Sequence, residues 1–330
     1  MRIALDAMGT DRHPEIEVAG ALQALRELPA DFELLLVGDE PRIAAALASQ
    51  EPVPPGRLHI VHAEETVAPG EPPASAVRRK RKSSIAVGLG LQKEDRADAF
   101  VSAGSTGAVM AASLFLLGPV PGVDRPAVAT PLPTAGDPLL LIDAGANVDT
   151  KPQHLAQFAQ LAAIYVEDVW QRPSPRVGLL NIGEEPEKGD ELAVETYALL
   201  EKSGLNFIGN VEGRDVIRGV CDVLVADGFV GNVLLKFYES IMVFMHGLLE
   251  REFVANGIGM DVNQLLRGFD YTEYGGAPLL GVNGVSIICH GGSPPNAIAN
   301  AIRVARQAVQ TKMVRHIARE VTAHAGVARE

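Results

Sequence analysis

The feature that most constrains this chain is a series of short apolar runs that alternate with helical patterns almost from end to end. Their hydrophobicity is continuous rather than alternating, which predicts strands that are buried on both faces. Such strands, with helices between them, are typical of a parallel sheet that carries helices on both sides. We therefore predict an α/β fold of three layers, α/β/α, with a mostly parallel sheet. The predicted strands are RIALDA, ELLLVG, LHIVHA, AFVSAG, PLLLIDAGA, RVGLLNIG, CDVLVADG and VSIICHG.

Two long helices are predicted beside these strands. The first covers about residues 74–91 and contains the basic run 78–82, Arg-Arg-Lys-Arg-Lys. Because five successive helical positions go round the axis, at least one of these cations should point toward the protein, the cleft or a partner, unless its side chain snorkels to water. The second helix covers residues 296–324, and its apolar stripe from Ile298 to Ile317 predicts packing on the sheet or on a second subunit.

A length of 330 residues fits one large α/β unit or two lobes that share a cleft. We take residues 1–330 as one catalytic unit with a helical protrusion at about residues 234–269. This protrusion has more apolar side chains than one helix face needs, so we expect a helical hairpin with exposed apolar surface that rests on a membrane or a second subunit. The charges at Lys236, Glu239 and residues 250–252 argue against a bilayer span. The hairpin ends in Ile258, Met260, Leu265 and Leu266.

Composition limits the partners and the location. A net charge of −12 and an aromatic content of 5% argue against a nucleic-acid partner, which needs cations and stacking rings. Cys221 and Cys289 lie in apolar runs, and the N-terminus lacks the layout of a signal peptide, so we expect reduced thiols in a cytoplasmic protein. The uncharged segment 99–123 contains GSTG and two prolines, which favours a strand, a turn and a core helix over a membrane span.

Most of the predicted strands end in glycine and small polar residues, and ligands of open α/β sheets bind beyond these carboxyl ends. The strongest candidate is Gly104-Ser105-Thr106-Gly107, which follows a strand and opens a helix. Its unpaired N–H groups and two hydroxyls can bind a phosphate. Ser293 as an N-cap and Pro294 as a first-turn proline predict a second helix N-terminus at the same edge.

Two further side chains are candidates, each with a structural alternative. Lys188 is the lone base of EEPEKGDE and is either a phosphate ligand or a solvated loop lysine. Asn232 follows VADGFVG and is predicted in the first turn of a helix, where it points at the crevice or caps the helix. The chain has no GxSxG, CxxC, HExxH or Walker motif and no well-placed GxGxxG. We therefore expect no metal and no cofactor.

Taken in order, the motifs of this chain resemble those of the acyl-carrier-protein:phosphate acyltransferases, the PlsX family, over nearly the whole length. The matching motifs are ALDAMG, AVRRKRKSS, SAGSTGA, DRPA, LIDAGAN, NIGEEPEKG, GNVEGRD, VADGFVGN and HGGS. The resemblance implies a fold similar to isocitrate and isopropylmalate dehydrogenases and to phosphotransacetylases. It also implies a homodimer, peripheral at the membrane, that converts a fatty acyl thioester and inorganic phosphate into acyl phosphate for phospholipid synthesis. A membrane glycerol-phosphate acyltransferase would then use this product.

The resemblance implies catalytic roles for Lys188 and Asn232. This fits the missing acid–base motifs, because phosphate is already an anion at neutral pH and a leaving thiol with a pKa of about 8.5 needs no strong acid. Positioning and electrostatics then carry the reaction. We add three sets of expected contacts: phosphate with residues 104–107 and with Asn147 of LIDAGAN, acyl carrier protein with Arg78, Arg79, Arg81 and Lys82, and a membrane or dimer partner with Leu265 and Leu266.

Three other functions stay open at this point. The nearest is a phosphotransacetylase that acts on acyl-coenzyme A and differs only in the thiol carrier. The second is a non-catalytic scaffold that binds phosphate or acyl groups for membrane enzymes. The third is a sugar-acid or hydroxyacid dehydrogenase of the same fold.

Overall fold

The computed structural model describes residues 1–50, 56–68, 70–256, 259–269 and 271–327. The strands are β1 (Arg2–Asp6), β2 (Glu33–Gly38), β3 (Leu58–His62), β4 (Ala99–Ser102), β5 (Ala127–Leu132), β6 (Leu139–Ile142), β7 (Val177–Asn181), β8 (Phe207–Glu212), β9 (Val223–Val225), β10 (Ala277–Leu280) and β11 (Val285–Ile288). The helices are α1 (Glu15–Glu27), α2 (Glu40–Ala48), α3 (Pro73–Arg79), α4 (Ser84–Lys93), α5 (Thr106–Leu116), α6 (Pro152–Asp168), α7 (Glu191–Glu201), α8 (Gly213–Val216), α9 (Gly228–Ala255), α10 (Val262–Leu266), α11 (Pro295–Gln310) and α12 (Met313–Val327).

These elements belong to two compact units. Unit 1 comprises Met1–Pro126, Glu167–Arg172 and Tyr274–Glu330, and unit 2 comprises Ala127–Val166 and Pro173–Glu273. Both descriptions of the chain, one unit or two lobes, were compatible with its length. The assignment of residues 1–330 to one catalytic unit stays a prediction.

Unit 1 is built on strands in the order β3-β2-β1-β4-β11-β10. All neighbouring pairs from β3 to β11 are parallel, and β10 is antiparallel to β11. Helix α11 packs on α1, helix α4 packs on α5, and both α4 and α11 contact β1 and β4. The sheet therefore lies between two layers of helices.

Unit 2 has strands in the order β5-β6-β9-β7-β8, with β5 antiparallel to β6 and the other neighbours parallel. Helix α7 packs on β7 and β8, and α9 contacts β6 and α10. The α/β fold with a mostly parallel sheet is thus confirmed. All eight predicted strands are present, whereas β5, β8 and β10 were missed, because their runs contain proline or polar residues. Strand β3 was expected to be buried on both faces but is half exposed, since it lies at the end of its sheet order.

The predicted helix over residues 74–91 is wrong. Helix α3 ends before Lys80, and a new helix starts because the Ser83 side chain caps it by accepting the backbone N–H of Ala86 (3.3 Å). The basic run therefore does not wind round one axis. Lys80 is the cation that turns inward, with Nζ 2.6 Å from the Glu71 carboxylate. The predicted docking residues Arg78, Arg79, Arg81 and Lys82 are exposed.

The predicted helix over residues 296–324 is also divided. Lys312 adopts a φ of 58°, which ends α11 and turns the chain into α12. The apolar stripe itself was predicted correctly, since Ile298 and Ile317 are 0% and 1% exposed within this chain. The start of α11 was placed one residue off: Pro294 is at the N-cap position, and Ser293 is a buried loop residue. Segment 99–123 forms β4, a glycine turn and α5, as predicted.

Candidate active site

Three loops of unit 1 meet beyond the carboxyl ends of β1, β4 and β11. The loop after β1 approaches the loop after β4 so closely that a methyl group on Gly9 would lie 2.6 Å from the nitrogen of Gly104. The loop after β11 joins them, because the backbone N–H of Asp11 donates to the carbonyl of Gly291 (2.9 Å). The prediction that glycine turns collect at one edge is confirmed for these three loops. Glycine is required at position 9, since any side chain there would displace the backbone of the neighbouring loop.

The predicted phosphate loop, residues 104–107, is the turn between β4 and α5. Helix α5 begins at Thr106 with Ser105 in the N-cap position, and in the described part of the chain no side chain caps it. The first N–H groups of α5 are therefore left to water or to an anion, and the helix dipole favours the anion. The local structure predicted for this loop is confirmed, and its binding of phosphate stays a prediction.

A buried carboxylate holds this turn in place. The Ser102 hydroxyl donates to Oδ2 of Asp6 (2.7 Å), and the Ser102 Oγ in turn accepts the backbone N–H of Gly104 (3.0 Å). Burial raises the pKa of Asp6, which is 1% exposed, although hydrogen bonds from Ser102, Ser84 and Met8 act in the opposite direction. Asp6 and Ser102 are thus positioning residues that the sequence analysis missed. The signal was present in ALDAMG, where an aspartate ends a buried strand.

A second buried acid binds the loop after β1. Oε1 of Glu17 accepts the backbone N–H groups of Gly9 (3.1 Å) and Thr10 (2.6 Å). The Glu17 side chain is 0% exposed, and burial raises its pKa to about 7. This carboxyl therefore gains or loses its proton near neutral pH. It also was missed, because nothing in the sequence distinguishes it from the surface acids of the first turn of α1.

The loop after β6 in unit 2 contains Asn147 and is organised by Asp143. The Asp143 carboxylate accepts the backbone N–H of Ala146 (2.9 Å) and of Asn147 (2.7 Å), and also the side-chain amide N–H of Asn147 (2.8 Å). Asp143 is 0% exposed, and burial raises its pKa. The Asn147 side chain is thus oriented by a buried acid. Its predicted contact with phosphate stays a prediction.

The N-terminus of α9 packs on this loop. The backbone N–H of Gly228 donates to the Asn147 carbonyl (2.8 Å), and a methyl group on Gly231 would overlap the carbonyl oxygen of Asp143. Two glycines of VADGFVGN are therefore required by this close approach. The Asp227 carboxylate caps the helix by accepting the backbone N–H groups of Phe229 (2.8 Å) and Val230 (3.0 Å).

The prediction that Asn232 lies in the first turn of a helix is wrong. Because the N-cap is Asp227, Asn232 is the fifth residue of α9. Its side chain is exposed and lies beside Gly145, whose Cβ position would be 3.4 Å from Cγ of Asn232. The structure thus brings Asn232 to the loop that carries Asn147. Capping of the helix, the alternative interpretation of Asn232, is wrong, since Asp227 has that role.

Lys188 lies on the loop between β7 and α7. Its backbone carbonyl accepts the side-chain amide N–H of Asn181 (2.9 Å), which fixes the end of the loop on the strand. Its Nζ is 4.0 Å from the Glu185 carboxylate, and its side chain is 47% exposed. An exposed ion pair of this length contributes little stability. The ammonium group can therefore exchange Glu185 for another anion.

An apolar cavity of about 620 Å³ lies in unit 2 beside the Lys188 loop. No feature of the sequence predicted it, because its walls come from α6, β7, α7, α8 and α9 and from the loops next to them. Its lining residues are Leu155, Leu179, Leu180, Asn181, Ile182, Gly189, Asp190, Leu192, Ala193, Gly213, Ala226, Asp227, Val230, Val233, Leu234 and Phe237.

The predicted helical hairpin consists of α9 and α10, which pack on each other. Exposed apolar surface is confirmed, since Phe237, Val243 and Phe244 are 62%, 75% and 66% exposed. Helix α9 is long and apolar enough to cross a membrane by length and composition, and 11% of its most apolar stretch is buried in this chain. Leu265 is 48% exposed and Leu266 is half-buried. Ile258 lies outside the described residues.

The predicted site residues therefore fall into two sets. Residues 104–107 belong to unit 1, and Asn147, Lys188 and Asn232 belong to unit 2. Within unit 2 Asn232 lies beside Gly145, on the loop that carries Asn147, while the described contacts of Lys188 are with its own loop and with β7.

Comparison with known proteins relates the whole of this architecture to one family. A family model described as "Fatty acid synthesis protein" matches residues 1–316. A phosphate acyltransferase of Desulforamulus reducens is 51% identical over 321 residues, which cover 95% of this chain and 95% of that protein. A phosphate acyltransferase of Heliobacterium modesticaldum is 51% identical over 323 residues, with 95% and 96% covered.

Solved structures resemble the chain in fold. A phosphotransacetylase from Streptococcus pyogenes has a TM-score of 0.63 at 18% identity, with 94% of both chains covered. The EutD phosphotransacetylase from Staphylococcus aureus has a TM-score of 0.61 at 18% identity, also with 94% of both chains covered. At this identity the likeness shows the fold alone, and it confirms the predicted phosphotransacetylase-like fold. From the family model and the near full-length identity, the chain belongs to the phosphate acyltransferase family of fatty acid synthesis proteins.

Proposed function

We propose that this protein transfers a fatty acyl group from acyl carrier protein to inorganic phosphate and releases acyl phosphate for phospholipid synthesis. The observation that carries the proposal is the 51% identity to phosphate acyltransferases over 95% of the chain. In the reaction, a phosphate oxygen forms a bond to the thioester carbonyl carbon. The carbon–sulfur bond then breaks, and the carrier leaves with the electron pair as a thiolate, which takes a proton from water.

The residues suit a reaction that depends on positioning and electrostatics. For residues 104–107 we propose phosphate binding by the first N–H groups of α5, which have no side-chain cap among the described residues. For Lys188 we propose a charge contact with phosphate, which would replace its exposed contact with Glu185. For Asn232 we propose that the exposed amide orients the thioester or stabilises its oxyanion.

The exposed cations Arg78, Arg79, Arg81 and Lys82 support acyl carrier protein as the thiol carrier. Acyl carrier proteins are acidic as a family, and a cluster of cations increases the rate of encounter with an acidic protein. Lys82 already pairs with Glu64 (2.8 Å), and both side chains are more than half exposed, so the segment tolerates an exchange of acidic partners. A phosphotransacetylase that uses acyl-coenzyme A is the alternative.

The carrier is tested by offering palmitoyl-acyl carrier protein and palmitoyl-coenzyme A separately, with phosphate, and detecting acyl phosphate by mass spectrometry. We expect turnover with the acyl carrier protein and a much lower kcat/KM with coenzyme A. Equal or better use of coenzyme A would favour the phosphotransacetylase. No phosphate-dependent loss of either thioester would favour a non-catalytic scaffold, and reduction of NAD would favour a dehydrogenase.

We further propose that the hairpin of α9 and α10 contacts a second subunit and a membrane, on the cytoplasmic side, where a glycerol-phosphate acyltransferase could receive the labile product. The exposed apolar side chains of α9 and the exposed Leu265 support this role. We expect that Leu265→Glu with Leu266→Glu abolishes co-sedimentation with phospholipid vesicles and leaves the dimer mass unchanged. The control is Leu199→Glu on α7, an exposed leucine outside the hairpin. Loss of the dimer in the double variant would instead assign this surface to subunit contact.

A further inference from the structure

The cavity beside the Lys188 loop is a groove with a buried apolar floor. The floor is formed by Leu155 of α6, Leu179 of β7 and Ala226 after β9, which are 2%, 2% and 4% exposed. These three residues belong to different elements of unit 2, so the groove is a product of the tertiary packing of that unit.

One face of α9 forms a wall of the groove. Its lining side chains follow the spacing i, i+3, i+4 and i+7, which places them on a single helix face. Three of them are well exposed although they are apolar, at 43%, 56% and 62%. The groove thus combines exposed apolar side chains on one helix face with a buried apolar floor. Such a surface is typical of a site that binds an apolar ligand or partner. These lining residues are Val230, Val233, Leu234 and Phe237.

The polar groups in the lining are already used by local hydrogen bonds. Asp190 accepts the backbone N–H of Ala193 (2.9 Å), and Asp227 accepts the N–H groups at the start of α9. Asn181 binds Lys188 and also accepts the N–H of Ile182 (2.8 Å). Among the described residues that line the groove there is no lysine or arginine. Two carboxylates without a lining cation disfavour an anionic occupant such as phosphate or a nucleotide, and favour a neutral apolar one.

The groove is continuous with the loop that carries Lys188. Asn181 at the end of β7 and Ile182, Gly189 and Asp190 of the loop itself all line the groove. The side chain of Asn181 also donates to the Lys188 carbonyl (2.9 Å), so the floor of the groove and the lysine loop are held together. The volume of about 620 Å³ falls within the range of roughly 300–1,000 Å³ that is usual for small-molecule sites.

We propose that this groove binds the fatty acyl chain of the substrate, which enters beside the Lys188 loop and lies between α7 and the apolar face of α9. This inference rests on the proposed acyl transfer, and it assigns chain-length selection to the residues of the groove. We assign Leu192, near the start of α7, as the specificity-determining residue. It lines the groove and is only half-buried, so a larger side chain at this position can fill the groove without disrupting the core.

The test is Leu192→Trp, which places an indole in the groove. The matched control is Leu199→Trp, the same change on the same helix at an exposed position that does not line the groove. For both variants and the wild type, kcat/KM is measured with palmitoyl- and butyryl-acyl carrier protein, and binding of radiolabelled palmitate is measured by equilibrium dialysis. Circular dichroism melting and sedimentation report the fold and the dimer.

We expect the ratio of kcat/KM for palmitoyl over butyryl substrate to fall in Leu192→Trp by about fourfold for each methylene excluded from the groove, because burial of a methylene contributes about 0.8 kcal/mol. Palmitate binding should weaken in parallel, and Leu199→Trp should keep the wild-type ratio. If Leu192→Trp does not fold, Val230→Phe on α9 narrows the same groove from its exposed side.

An unchanged palmitoyl-to-butyryl ratio of kcat/KM in a folded variant would overturn the inference, and so would unchanged palmitate binding. Loss of the dimer with the ratio preserved would also overturn it, because that result would assign the groove to contact with a second copy of this chain. Failure of the proposed function is distinguishable from these results. In that case the wild type would form no acyl phosphate from either substrate, while the dialysis experiment would still decide whether the groove binds an acyl chain.

Discussion

Replacement of Glu17 by glutamine should remove a pH dependence from the stability of unit 1. The Glu17 carboxyl is 0% exposed, and burial raises its pKa from 4.5 to about 7. The folded chain therefore binds this proton more tightly than the unfolded chain. Between about pH 4.5 and pH 7 folding takes up a proton, so the free energy of unfolding falls as the pH rises through this window and levels off above it.

The size of the effect follows from the pKa change on folding. At about 1.4 kcal/mol for each pKa unit, a carboxyl that moves from 4.5 to about 7 lowers the stability by about 3 kcal/mol between acidic and mildly alkaline pH. Glutamine has nearly the same shape and can still accept the N–H groups of Gly9 and Thr10, but it does not ionise. The stability difference between wild type and Glu17→Gln should therefore change by about 3 kcal/mol across this range.

The assay is urea denaturation at a series of pH values, followed by tryptophan fluorescence. The chain has one tryptophan, and Trp170 lies in unit 1 together with Glu17, so the fluorescence reports the relevant unit. The control is Glu15→Gln, which changes an exposed carboxylate on the same helix and should keep the wild-type slope. Parallel pH profiles for wild type and Glu17→Gln would refute the reasoning.

Three other predictions follow from the site. Lys188→Ala and Asn232→Ala should each lower kcat by about 10²- to 10³-fold, as loss of one oxyanion-hole donor does. Both variants should keep the wild-type melting temperature, because both side chains are exposed. Near wild-type rates would show that these residues do not belong to the site. Arg78→Glu with Arg81→Glu should raise KM for acyl carrier protein more than KM for phosphate, most strongly at low salt, and an unchanged carrier KM would exclude docking there. Gly9→Ala should destabilise unit 1 by about 1–3 kcal/mol, as overpacking does, because its Cβ would lie 2.6 Å from the backbone nitrogen of the neighbouring loop; a calorimetric melting curve equal to that of wild type would contradict this.

The sequence alone was sufficient for the fold class, the eight strands and the family. Periodicity along a strand is local information, because each of these runs is apolar over consecutive residues and is bounded by glycine. The motifs that identify the family are also contiguous, so they can be recognised without any knowledge of which loops meet. The turn at residues 104–107 was predicted for the same reason, since a strand, two glycines and a helix follow one another there.

The boundaries of long helices were less accessible. The pattern over residues 74–91 is helical on both sides of Lys80, yet the chain breaks there, because Lys80 pairs with Glu71 and Ser83 caps a new helix. Likewise Lys312 turns the chain between α11 and α12, although the apolar stripe continues through both. In each case a cap or a turn divides the chain into two helices, although the helical sequence pattern continues across the break.

The tertiary structure alone decided which groups hold the candidate site in place. Asp6 and Ser102 are 96 residues apart and become partners only because β1 and β4 are neighbours in the sheet. Glu17 differs from the other acids of α1 only in being buried against the loop after β1. The apolar groove takes its floor from α6, β7 and the end of β9, and one wall from α9. The sequence pattern of each element records how that element is buried but not which other element covers it, so the buried acids and the groove could be found only once the elements were packed together.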